Sequence, residues 1–137
     1  MFFYIEDRAL LKVSGSEAEA FLQAQFSNDI TKLDRKNIQL NAYCQHQGKI
    51  LALFWVMRYE DFFFLSCPCE LVEDINIRLQ MFVIMSDVKI ENYTSKFSQI
   101  GLINETISNS FFINEKLSVL VTESYDLDSF KFNYNIS

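Results

Sequence analysis

Four side chains of this sequence could jointly hold a metal or run thiol chemistry: Cys44, His46, Cys67 and Cys69. Three thiolates and an imidazole are an allowed tetrahedral zinc set. The strands predicted to end at Cys44 and Cys67 run in the same direction within a three-strand meander, which brings their ends to one edge of a sheet. The spacings argue the other way. Cys-x-His and Cys-x-Cys are tighter than the gaps zinc ligands use. Cys67 shares a strand face with Leu65, because alternate strand residues point the same way, and free cysteine is among the most buried residue types. Packed thiols and a polar turn histidine account for the four, and no metal is assigned. Pro68 also restricts closure of a Cys67–Cys69 disulfide.

Other catalytic constellations are missing. One histidine and no Gly-x-Ser-x-Gly elbow leave no hydrolase nucleophile. Glycines at 15, 48 and 101 alone cannot form a phosphate-cradling loop. Glu70, Glu73 and Asp74 form an acidic group, but they open a helix, where the dipole favours negative charge.

The elements that position these residues follow from hydrophobic period and punctuation. Arg8 to Ser14 reads as a strand ended by Gly15. Ser16-x-x-Glu19 has the form of a capping box opening a helix to about Ser27, with Ala18, Phe21, Leu22 and Phe26 on one face. Asn28-Asp29 and the charged run Lys32 to Lys36 form a loop. Ile38, Leu40, Ala42 and Cys44 alternate as a half-buried strand. Ile50 to Met57 is apolar enough for a strand covered on both faces. Phe62 to Cys67 returns as a third strand of the meander. Pro68 starts a second helix through about Val83, with Leu71, Val72, Ile75, Leu79, Phe82 and Val83 on one side. Val88, Ile90 and Asn92 mark the next strand. The order is β-α-β-β-β-α-β, an α+β layer with helices on one face of a mostly antiparallel sheet. Gln99 to Ile103, Ser118 to Thr122 and the alternating tail Phe130, Phe132, Tyr134, Ile136 read as further strands. No linker divides residues 1–137, which are expected to form one domain.

The bulk numbers exclude some classes. With 50% apolar residues and 22% charged, the composition is globular. A net charge of −6 and a pI near 4.7 offer no footprint for a phosphate backbone, so no direct nucleic-acid contact is expected. The longest purely apolar run, Ile50 to Met57, falls far short of a membrane span of about 20 residues. The apolar start Met1 to Ile5 reaches Glu6 and Asp7 too early for a signal peptide. Three cysteines agree with a reducing, cytoplasmic setting.

One stretch carries more than composition. Leu10-Leu11-Lys12-Val13-Ser14-Gly15 leads into a helix ending Phe21-Leu22-Gln23-Ala24-Gln25-Phe26-Ser27-Asn28-Asp29-Ile30. After a polar connector comes Ala42-Tyr43-Cys44-Gln45-His46-Gln47-Gly48-Lys49-Ile50. Together these resemble the N-terminal segment of the YgfZ-type folate-binding proteins, in the superfamily of the glycine-cleavage T-protein (aminomethyltransferase). The resemblance covers about residues 8 to 91 and implies a ferredoxin-like first domain. In T-proteins the strand after the Gly-Gly turn carries an acidic pair, one member of which holds the pterin. The matching position here is Ala52-Leu53, so the catalytic acid is absent, as in the YgfZ branch. The downstream Lys-Gly-Cys-(Phe/Tyr)-x-Gly-Gln-Glu motif of that branch does not occur in these residues. The resemblance thus implies a non-catalytic module, tetrahydrofolate as its ligand, contacts near Asn28, Asp29, Tyr43 and Trp55, and a role in iron–sulfur cluster assembly and tRNA modification. The alternatives are a structural or dimerisation module that has lost folate, and an aminomethyltransferase-like enzyme.

Aromatic surplus gives a last expectation. Phe62, Phe63 and Phe64 run consecutively on a strand, so at least one points away from the core side. Exposed apolar patches mark partners. A homo-oligomer, or a missing second-domain partner, is expected to cover this strand or the tail.

Overall fold

A computed structural model describes residues 1–45 and 47–124; His46 and the tail Phe130, Phe132, Tyr134, Ile136 lie outside the described residues. In chain order the elements are β1 (Phe2–Ile5), β2 (Arg8–Ser14), α1 (Ala18–Gln25), β3 (Gln39–Cys44), β4 (Ile50–Arg58), β5 (Phe62–Pro68), α2 (Val72–Phe82), β6 (Lys89–Asn92), β7 (Phe97–Ile103), β8 (Phe111–Phe112) and β9 (Leu117–Glu123). From β2 to β6 this is the β-α-β-β-β-α-β order read from the sequence, in an α+β architecture.

The strands divide between two sheets, ordered β3-β4-β5-β2-β6 and β1-β7-β9-β8, with each strand pairing antiparallel. In the first sheet β2 inserts between β5 and β6, the split arrangement of ferredoxin-like folds. The single predicted layer thus gains a second sheet, built from β1 and the strands beyond residue 96.

Pleating sorts the side chains. Ala9, Leu11 and Val13 on β2, Phe54 and Val56 on β4, and Phe63, Leu65 and Cys67 on β5 meet Phe21, Leu22, Ile75 and Leu79 of the two helices in one core. The alternate residues Leu10, Met57 and Phe64 turn to the other face and pack against Phe97, Phe111 and Val121 of the second sheet. Phe62 stacks on Tyr59 at 4.6 Å, while Phe63 and Phe64 are buried. Most of the Phe62-to-Phe64 strand is therefore covered within the chain, with Phe62 half-buried.

The start of α1 differs from a capping box. Glu17 occupies the N-cap and no side chain caps the helix. The Ser16 hydroxyl donates instead to Asp87 Oδ2 at 2.6 Å, and the Asp87 backbone N–H donates to the Glu17 carboxylate. Glu19 pairs with Arg58 at 2.6 Å. A long-range tie has taken the local cap's groups. Gly15 makes it feasible: its φ is +113°, and an added Cβ would lie 2.2 Å from the Asp87 carbonyl oxygen.

Candidate functional site

The second sheet does not cover all of the first sheet's outer face. Register places Leu40 opposite Trp55 and Ala42 opposite Leu53, so Leu40, Leu53 and Trp55 share the face turned away from the helices. Leu40 is 56% and Leu53 48% exposed. Trp55 is half-buried, because the Arg8 guanidinium stacks over its ring at 4.0 Å from the centroid.

Arg8 is held from below. Its Nε donates to Ser66 Oγ at 2.9 Å and its Nη2 to the Ser66 carbonyl at 2.6 Å. The Ser66 hydroxyl in turn donates to Gln99 Oε1 at 2.7 Å, so β2, β5 and β7 all contribute to the placement. Burial pushes the Arg8 pKa down, with Cys67 and Asp7 opposing the shift. Two of the five guanidinium N–H groups are spent on Ser66. Arg8 has no ion-pair partner among the described residues, and it lies at the edge of an apolar floor. Such a surface can receive a flat ring and bind a carbonyl or carboxylate beside it.

The position matched to the T-protein acidic pair lies in this floor. Ala52 is buried at 4% exposure toward the helices, so only Leu53 of the two reaches the open face. Neither can take a proton or hold a pterin nitrogen.

The four sequence-predicted contacts do not converge. Trp55 lies on the open face. Tyr43 pairs with Ala52 and faces the helices, its ring edge-on to Phe26 at 6.1 Å. It lines a cleft of about 530 Å³ with Gln25, Arg78, Met81 and Phe82, and burial raises its pKa. Asn28 is an exposed brace: its backbone N–H donates to Asn41 Oδ1 at 2.8 Å and its amide to the Leu40 carbonyl at 3.3 Å. Asp29 caps the short 3-10 turn Ile30–Lys32 through Thr31, whose hydroxyl holds the carboxylate below its ordinary pKa. Arg8, Ser66 and Gln99 escaped the sequence reading because only strand pairing brings them together. The lone signal was a charged residue opening an apolar strand on the same parity as Leu10.

The cysteines are not grouped as expected. Cys44 sits opposite Ile50, whereas Cys67 follows Ser66, which sits opposite Trp55. That offset is roughly 13 Å along the strands and about 10 Å across two strand spacings. Cys67 is fully buried beside Leu65, and burial pushes its thiol pKa up to about 11. Cys69 is exposed. Among the described residues no three His, Cys, Asp or Glu side chains are clustered to hold a metal.

Comparison with known proteins gives the lineage. No family model matches the chain. It is 33% identical over 101 residues to an aminomethyltransferase of Exiguobacterium sibiricum, covering 73% of this chain and 28% of the relative. It is 23% identical over 91 residues to a tRNA-modifying protein YgfZ of Vibrio atlanticus, covering 66% and 28%. The fold matches that of the glycine cleavage system aminomethyltransferase T of Bartonella henselae, with a TM-score of 0.75 at 12% identity over 99% of this chain and 46% of that one. The chain spans less than half the length of each.

Proposed function

From a chain related over an N-terminal region to the YgfZ/T-protein superfamily, we propose a non-catalytic folate-binding-type module. The observation that carries this is Leu53: hydrocarbon is exposed where the T-protein pattern has an acid, next to a tryptophan and a guanidinium that has no ion-pair partner among the described residues. In this reading the flat pterin of tetrahydrofolate lies against Leu40, Leu53 and the free edge of Trp55. Arg8 donates to a ring carbonyl or to the glutamate carboxylate. The donor set and floor fit such a ligand; a general base for aminomethyl transfer is missing from it. We place the module in the cytoplasm, supporting iron–sulfur cluster assembly and the tRNA-modifying enzymes that depend on it. With a net charge of −6 it would act through protein partners and not by gripping tRNA.

Isothermal titration with tetrahydrofolate tests the binding. Saturable heat is expected, weakened at least about tenfold by Arg8→Ala, the effect of losing a charge-assisted hydrogen bond. No heat at millimolar ligand would overturn the folate reading, and methylamine transfer by the chain would overturn the non-catalytic one.

A further inference from the structure

Helix α2 is apolar on two opposite sides. Val72, Ile75 and Leu79 face the core, yet Ile77 and Met81 are each 63% exposed on the far side. A surface helix of a globular protein normally turns polar residues there. Beside this ridge, Asp74 and Arg78 lie one turn apart, both exposed, and neither has an ion-pair partner among the described residues. Leu71, Asp74, Ile77, Arg78 and Met81 line one cleft of about 560 Å³.

These positions are symmetric about Asn76. Asp74 precedes it by two residues and Arg78 follows by two; Leu71 precedes it by five and Met81 follows by five. At 1.5 Å per residue in α2, Asp74 and Arg78 sit about 3 Å either side of one point, with Met81 and Leu71, the residue just before the helix, roughly 8 Å either side of it. A two-fold axis at that level, with two α2 helices antiparallel, sets the members of both pairs at matching heights. We propose that this face binds a second copy of the chain, each Arg78 meeting the partner subunit's Asp74 and each Met81 entering the partner subunit's cleft beside Leu71. Self-complementarity of this kind is what an isologous interface requires. An unrelated partner needs no such matching of opposite charges and apolar groups about a common centre.

Sedimentation equilibrium of the full chain at tens of micromolar tests this. A dimer is expected. Arg78→Asp and Asp74→Arg each oppose like charges and should raise the dissociation constant at least about a hundredfold. Both residues are exposed, and unchanged thermal unfolding of the monomeric variants checks that the fold survives. Mixing the two variants, or combining them in one chain, restores opposite charges and should restore the dimer. A strictly monomeric wild type, or failure of both charge exchanges to rescue, overturns the proposal.

Discussion

The two faces of the five-stranded sheet are made by the same strands but differ in kind. On the helix side Ala9, Leu11, Phe54, Val56, Leu65 and Cys67 form a continuous apolar core. On the opposite side Leu10, Met57 and Phe64 are sealed by the second sheet, while Arg8, Leu53 and Trp55 lie where that cover ends. Polar and aromatic groups collect at the margin of a packed layer, where the Arg8 guanidinium is partly desolvated. Successive residues of one strand thus serve the core and the open face in turn.

Adjacent truncations on β4 should break this contrast most sharply. Phe54→Ala empties a fully buried site and should cost about 3–5 kcal/mol in urea denaturation. Leu53→Ala, one residue earlier on the open face, should stay within about 0.5 kcal/mol. Equal losses would mean the open face is covered. Ser66→Ala comes next. It removes the acceptor of Arg8 Nε and leaves the Gln99 oxygen without its donor. A loss of about 1–3 kcal/mol is expected, with weaker tetrahydrofolate binding if the Arg8 platform is the site. The smallest effect is in the pH dependence. Folded Cys67 keeps its proton up to about 11 against 9.0 for an ordinary thiol. Between those values the unfolded chain releases a proton that the folded chain retains. Stability is therefore intact below pH 9 and falls as pH rises, by about 1 kcal/mol at pH 10. A Cys67→Ala variant should lack this part of the slope, and in the native protein Cys44 and Cys69 should react with a thiol reagent well before Cys67.

Much of the helix side was legible in the sequence because its signals are local. The period of Phe21 and Leu22, the acids at the start of α2 and the alternation of β3 each report on a few neighbouring residues. The second sheet was not. Its β8 is two residues long, and β1 pairs with β7 nearly a hundred residues on. Ser16 and Glu19 show the limit of a local motif: the pattern is present, but Asp87 and Arg58 compete for the same groups and prevail. On the open face Trp55 was singled out from the sequence, whereas Arg8, Ser66 and Gln99 belong to three strands that no sequence window contains. Likewise the choice between Ala52 and Leu53 as the residue facing a ligand depends on register, which a one-residue slip would invert.

The strand that opens the chain has a consequence for synthesis. Phe2 to Ile5 pair with Gln99 to Leu102, so the ribosome releases the first strand long before its mate exists. Loop closure over that interval makes the pairing a late event. The helix-backed sheet can assemble first, with the hydrophobic outer side of Leu10, Met57 and Phe64 bare until the closing strands arrive. During that interval the nascent protein is most prone to aggregate or to need a chaperone.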